Sequence, residues 1–368
     1  MDLSKSKPKE SEITNSCFQF LPRLPAISRN PQCVAHGHEI LICGGYQKNQ
    51  CYSYHTLKNQ YKYICSYPSA IVLQAHCVVK CMNNSSADYI TLLSFGGKFK
   101  HTLIMKYVSV WDNENVIELE NTKCVNEWLP FIDNHNQRIC IGRKQDNFEG
   151  VRAVIGGTEN HLLFITYSPR NIDVFNLKRF QYVNYGILPI EERISFHCFL
   201  SKSGDVLTTM KTNEKNIEML LFCRSTGLSI EYNEEGRAFQ FQKLQICTAL
   251  RPLNRYAYVY VNGCIFLFGG NTDFEMHPSN EVHKYSVIKN KWMKFEQTLP
   301  SPLSDCVGIL SGDSTFLHII GGQDKKGDIV PLQMKTNISE WMKEQTKMEQ
   351  LWIKEEEEKK KLKKITMN

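Results

Sequence analysis

The chain has 368 residues, 42% of them apolar and 22% charged, and a net charge of +6. Those proportions are ordinary for a globular protein and exclude a collagen, a disordered polymer and a supercharged tail, and so mild a charge gives no field that would gather nucleic acid. No run of roughly 18 uncharged apolar residues occurs, and residues 1–12 mix Lys, Glu and Ser without an apolar stretch. Neither a membrane span nor a secretory signal is therefore expected, and the chain reads as cytoplasmic. The 14 cysteines fit that setting, because no CxxC pair exists and Cys43, Cys77, Cys198 and Cys223 lie inside apolar runs, where a free thiol acts as a small hydrophobe.

In chain order, residues 1–14 read as a disordered leader, and 18–24 (FQFLPRL) pair an aromatic residue with Leu-Pro. Five apolar runs then close on paired glycines: Gly44 and Gly45, Gly96 and Gly97, Gly156 and Gly157, Gly269 and Gly270, Gly321 and Gly322. A second signal lies downstream, a bulky side chain followed seven positions later by an aromatic one. It joins Tyr54 to Tyr61, Phe175 to Tyr182, Tyr232 to Phe239, Tyr285 to Trp292 and Met334 to Trp341. A sixth copy, Trp111 with Trp128, reads as the same spacing enlarged by a loop. The doublet at Gly156 stands too far ahead of Phe175, with the strand-like run 162–167 between them, so it reads as a turn. Thr166 and Cys223 then take the anchor position in the third and fourth units. The anchors Gly44, Gly96, Thr166, Cys223, Gly269 and Gly321 follow at intervals of 52, 70, 57, 46 and 52 residues, which makes six repeats.

Each repeat reads as four short strands. In the clearest, 256–261 is a strand, Asn262-Gly263 is a hairpin turn, and 264–268 is a second strand ending in the doublet. After a loop over 271–280 come the strands 282–287 and 291–295, and Leu299-Pro300 ends the unit, where a residue without an N–H cannot continue a ladder.

An apolar strand closing on Gly-Gly, a Tyr then six residues then Trp, and a following Leu-Pro resemble the kelch motif. The resemblance spans about 18–341; it is strong in the units starting near Leu24, Ala70, Asn254 and Pro302 and degenerate in those starting near Asn136 and Ile194. The segments CYSYHTLKNQY, HTLIMKYVSVW, HLLFITY and HKYSVIKNKWM are similar to a large group of intracellular kelch-repeat proteins with no assigned activity. The resemblance implies an all-β fold, a six-bladed kelch-type β-propeller with a short C-terminal α-helical tail. Elementary packing points the same way, since a four-stranded blade has two faces and buries both only when wedged between neighbours. The expected organisation is a leader over 1–14, a propeller over 15–338 and a charged helical tail over 339–368. In it the segment 18–24 closes the last blade by pairing with its third strand. The kelch resemblance includes ubiquitin-ligase substrate receptors, which carry a BTB or F-box domain; fewer than 20 residues precede Phe18, so neither is expected here and an adaptor role would need the tail or a partner chain. In the tail, Glu355, Glu356 and Glu357 stand four before Lys359, Lys360 and Lys361, the favourable order for a solvated helix.

Metal-ligand residue types occur at His36 and His38 near Cys43, and at His76 with Cys77 and Cys81. Alternation puts His36 and His38 on one side of a strand, yet no second ligand pair follows at finger-like spacing, so they read as strand residues. No catalytic motif, cofactor or obligate metal is expected: the doublets are followed by no Gly-Lys-Ser/Thr, and no GxSxG is present. What remains is surface. Loops from second to third strands share a face with the blade-to-blade connections, and the longest fall at 131–150, 271–280 and 323–328. Basic and aromatic residues gather there: Lys98, Phe99, Lys100, His101, Arg143, Lys144, Phe148, Phe274, Lys325 and Lys326 are the expected partner-binding residues. The expected function is a non-enzymatic scaffold or adaptor for an acidic or mixed protein partner, with neither nucleic acid nor membrane involved. The alternative is a small-molecule or metal-dependent enzyme working in the central channel.

Overall fold

The computed structural model describes residues 17–26, 28–81, 89–111, 125–202, 216–272 and 277–366. Six four-stranded antiparallel sheets, one short two-stranded pair and a C-terminal helix make up the regular structure among them. The first blade is β2 (Cys33–His36), β3 (Glu39–Gly45), β4 (Lys48–His55) and β5 (Gln60–Ser66). The second is β6 (His76–Cys81), β7 (Ile90–Gly96), β8 (His101–Tyr107) and β9 (Leu129–Pro130). The third is β10 (Asn147–Gly156), β11 (Leu162–Ser168), β12 (Asn171–Asn176) and β13 (Gln181–Ile187). The fourth is β14 (Cys198–Ser201), β15 (Asn216–Cys223), β16 (Thr226–Asn233) and β17 (Ala238–Leu244). The fifth is β19 (Ala257–Val261), β20 (Cys264–Phe268), β22 (Val282–Ser286) and β23 (Lys291–Lys294), beside the small pair β18 (Leu253–Asn254) and β21 (Asn271–Thr272). The sixth joins β24 (Val307–Leu310), β25 (Phe316–Ile320) and β26 (Gln333–Asn337) to β1 (Gln19–Phe20).

The blades have no private cores. Six apolar clusters exist among the described residues, and each draws on two adjacent blades, from Leu41 with Leu92 between the first and second round to Tyr54 with Ile320 between the sixth and first. That arrangement explains the continuous apolar runs. A second strand such as β3 or β20 is buried along its whole length because a neighbouring blade covers each face, whereas outer strands such as β17 alternate. The doublets sit where the chain leaves this double burial. At Gly269 φ is +65°, and a Cβ would run into the carbonyl oxygen of Leu303. At Gly321 φ is +64°, and a Cβ would lie 2.6 Å from the carbonyl oxygen of Ser28 in the next blade.

The seven-residue spacing is a hairpin register. Tyr54 stands opposite Tyr61, Phe175 opposite Tyr182, Tyr232 opposite Phe239 and Tyr285 opposite Trp292, with ring centroids 4.8 to 5.2 Å apart. The third-strand member then reaches the second strand of the preceding blade: Tyr232 meets Phe164 at 5.1 Å and Tyr285 meets Phe222 at 5.1 Å. Each fully buried ring contributes on the order of 2–3 kcal/mol.

Two of the expected pairs differ. Ile104 faces Leu129, which puts Trp128 opposite Met105 and not Trp111. Trp128 stacks on Tyr67 at 4.7 Å, while Trp111 donates from Nε1 to Ser53 Oγ (2.9 Å) and packs against His55. Met334 is paired by Phe20 of β1, and Trp341 occupies a 3-10 turn (Ile338–Met342), where it is fully buried against Phe18, Phe268 and Phe295. The β1–β26 pairing, extended by the Leu21 amide donating to Gln333 O (2.9 Å), hydrogen-bonds the first strand to the last blade.

The leader 1–14 lies outside the described residues. The tail helix α1 (Lys347–Thr366) is described, and the expectation of a solvated helix is corrected: it lies against β23. Thr346 and Glu349 cap its start reciprocally, Thr346 N donating to Glu349 Oε2 (3.0 Å) and Glu349 N to Thr346 Oγ1 (3.2 Å). Glu356 Oε1 accepts from the amide and hydroxyl of Thr248 (2.8 and 3.0 Å), and Trp352 and Ile353 pack on the wedges either side of the fifth blade. The fourth strand there has only four residues, and α1 shields its open edge.

Candidate binding face and channel mouth

One residue before the innermost strand of each blade lies in the left-handed region: Asn30 (φ 50°), Ala75 (58°), Phe196 (52°), Arg255 (55°) and Asp305 (55°), with Gly150 (73°) on the bulged β10 of the third blade. A left-handed non-glycine residue costs on the order of 1 kcal/mol or more and persists only where its surroundings fix it. Here the surroundings are one another. Asn30 N donates to Asp305 O (2.8 Å), Asp305 N to Arg255 O (2.9 Å), Phe196 N to Gly150 O (2.9 Å) and Gly150 N to Ala75 O (3.0 Å), so a belt of backbone bonds ties consecutive blades around the axis.

Above the belt lies a cavity of about 230 Å³ to which all six blades contribute. Its charged side chains come in fixed partnerships. Arg255 donates to Asp305 Oδ1 (3.0 Å) and lies 3.7 Å over the Phe196 ring. Arg29 donates to Gln323 Oε1 (3.2 Å) and lies 4.1 Å over Tyr46, and Gln74 donates to Glu149 Oε1 (3.0 Å). These residues escaped the sequence reading because each blade supplies a different one and their distance from the glycine anchor varies. Only the column of residues just before each inner strand, once aligned, displays them.

The ten expected partner-binding residues divide sharply. Lys98 and Phe99 are exposed in the turn between β7 and β8, Lys325 and Lys326 in a tight turn closed by Asp324, and Lys144 on the connection ahead of β10. Lys100 and Arg143 are fasteners. Lys100 Nζ donates to the carbonyls of Arg143 (2.5 Å) and Lys144 (2.9 Å), while Arg143 pairs with Asp173 (2.8 Å) and lies 4.5 Å over Tyr182. His101 and Phe148 are corrected outright, since both are buried. His101 shares a hydrogen bond with Ser94 Oγ (2.8 Å), and burial holds its imidazole at about 4. Phe148 fills the space over Gly96 and Gly142 and packs on Phe95 and Tyr167. Phe274 lies outside the described residues.

His36 ends β2 and His38 follows in the turn at Gly37, so they do not share a strand face as alternation suggested, and His76 is buried with its ring bonded to Cys43 O (3.2 Å). Among the described residues no three His, Cys, Asp or Glu side chains are placed to hold a metal ion, and no helix is long and apolar enough to cross a membrane.

Comparison with known proteins adds the family signal. The model of the Kelch motif matches residues 252–296, which is the fifth blade. The solved structure of YjhT is similar over 84% of this chain and 95% of that one, with a TM-score of 0.56 at 11% identity, a likeness of fold alone. A comparison with curated proteins returns no match. The described chain is a six-bladed β-propeller with one C-terminal helix, and its fifth blade matches the Kelch motif.

Proposed function

We propose that the chain is a non-enzymatic protein-interaction module that grips its partner on the face where second-to-third-strand loops and blade connections meet. The observation that carries this reading is the exposed set Lys98, Phe99, Lys144, Lys325 and Lys326, held on loops that are themselves pinned by Lys100, Arg143 and Asp324. A rigid ring presenting basic and aromatic tips suits an acidic or mixed protein surface, with the aromatic side chain supplying area and the lysines the encounter rate. The 13 cysteines among the described residues are free thiols, which suits a reducing, cytoplasmic setting. A photo-crosslinking residue placed at Phe99 should capture a partner that the same probe at Ile288, exposed on the opposite face, does not. Equal capture at both positions would overturn the reading. A second reading, a ligand-handling protein using the channel, is favoured by the 230 Å³ cavity at the mouth.

A further inference from the structure

The tail helix leaves part of its apolar surface uncovered. Along α1, Met348, Leu351, Trp352 and Glu355 follow at the spacing that places residues on one helix face, and all four line a groove between the helix and the end of the fifth blade, beside Phe295. Trp352 and Ile353 belong to the apolar clusters of the ring, whereas Met348 and Leu351 belong to none among the described residues and are 59% and 48% exposed. The helix is fastened with that face half open. Glu356 accepts from Thr248, Glu349 Oε1 accepts from the Glu296 amide (3.3 Å), and Lys291 pairs with Glu357 (2.5 Å). The walls of the groove are therefore fixed before anything binds, which lowers the ordering cost of binding.

Charge decides what suits the groove. It is lined by four carboxylates, Glu281, Glu296, Glu349 and Glu355, and one ammonium, Lys294. Lys294 is paired with Glu281, and Glu349 caps the helix. Glu296 and Glu355 are exposed, and neither side chain enters a hydrogen bond or ion pair among the described residues. The other flank of the helix is the reverse, a hollow where Lys284, Lys289 and Lys291 stand with Ile353. The helix thus parts an acidic, apolar groove from a basic hollow, and only a cation is attracted to the side where Met348 and Leu351 are open.

We propose that this groove docks a basic peptide segment of a partner protein, which seats one or two bulky apolar side chains on Met348, Leu351 and Trp352 and sets its lysines or arginines against Glu296 and Glu355. The cavity of about 380 Å³ lies near the lower end of the roughly 300–1,000 Å³ of pockets that enclose a ligand, so it admits side chains and not a folded surface. A methionine in the wall suits anchors of differing shape, because its unbranched thioether adapts to what it meets. This site goes beyond the partner-binding reading, since it uses none of the exposed lysines and selects the opposite charge.

The test is fluorescence anisotropy of a labelled peptide of lysine and leucine titrated with the full chain, beside two control peptides, one with glutamate for lysine and one with serine for leucine. The expected result is saturable binding of the first that weakens with added salt, and binding of either control at least about tenfold weaker. Met348→Ser with Leu351→Ser should weaken the first peptide at least about tenfold, and Glu296→Lys with Glu355→Lys about fivefold or more. No saturable binding, equal binding of the glutamate peptide, or either double variant binding like the unmodified chain would overturn the proposal. Should the serine pair loosen the helix, seen as lost ellipticity, the exposed glutamate pair decides alone. Lys98→Gln, Lys325→Gln and Lys326→Gln together should leave the affinity for the peptide unchanged, which separates failure of this groove from failure of the loop-face reading.

Discussion

The wedges between blades and the mouth of the channel are built on opposite rules. In the wedges the same residue types keep returning: four blades set a ring on the third strand opposite a partner seven residues on, and in four the buried second strand runs into glycine. At the mouth the backbone repeats, with a left-handed residue before each inner strand, while the side chains do not: Asn30, Ala75, Gly150, Phe196, Arg255 and Asp305 have no chemistry in common. Repetition marks what holds the ring together, and its loss over a conserved backbone geometry marks where the chain is free to recognise something.

The difference can be broken most strongly from the wedge side, by acid. Burial holds the imidazole of His76 at about 3 and those of His101, His283 and His318 at about 4, below the 6.5 of the unfolded chain. Below pH 6.5 the unfolded state takes up protons that the folded state refuses, so stability should fall as pH drops from about 6.5 towards 4. The slope is up to about 1.4 kcal/mol per pH unit for each histidine. Denaturant titrations at pH 7, 6 and 5 would measure it, and a midpoint constant over that range would contradict the burial. Replacing His283 alone by Gln should flatten the slope by one histidine's share.

Trp341→Ala comes next, with an expected loss of about 3–5 kcal/mol, because the ring is fully buried among Phe18, Phe268 and Phe295 where the chain ends meet. Chemical unfolding would show it, and a loss under 1 kcal/mol would mean that this turn is not part of the sixth-blade wedge. Glu356→Ala should cost about 1 kcal/mol, since it removes the acceptor of both Thr248 donors and with it the tie of the helix to the fifth blade, and hydrogen exchange should quicken first in β23 beneath the helix. Smallest of all, reversing Lys98, Lys325 and Lys326 to Glu should move stability by less than about 0.5 kcal/mol, because no hydrogen bond of the fold ends on their ammonium groups among the described residues.

The same contrast explains what could be read in the sequence. Glycine doublets and ring spacings are periodic, so blade number and strand order were legible from residues such as Gly44, Tyr54 and Trp292. Trp111 was mispaired because a loop enlarged the hairpin and hid the register that sets Trp128 against Met105. His101 and Phe148 look like loop residues because they stand among basic and aromatic neighbours beside long connections, although the alternation through β8 buries His101 together with Leu103, Met105 and Tyr107. The docked tail escaped because a row of Glu and Lys looks solvated until the fold brings the Thr248 amide and hydroxyl to Glu356, which is buried there. Arg29, Arg255 and Asp305 carry no such signal, since a residue used once in six repeats has no period.

The central claim, that one face of the ring is the recognition face, is tested most directly by a matched pair of triple variants in quantitative affinity capture. One carries Lys98→Glu, Lys325→Glu and Lys326→Glu; the other carries Lys58→Glu, Arg179→Glu and Lys289→Glu, in third-to-fourth-strand turns on the opposite face. The account predicts that partners retained by the unmodified chain fall at least tenfold with the first triple and are kept by the second. Equal retention by both, or loss only with the second, would contradict it.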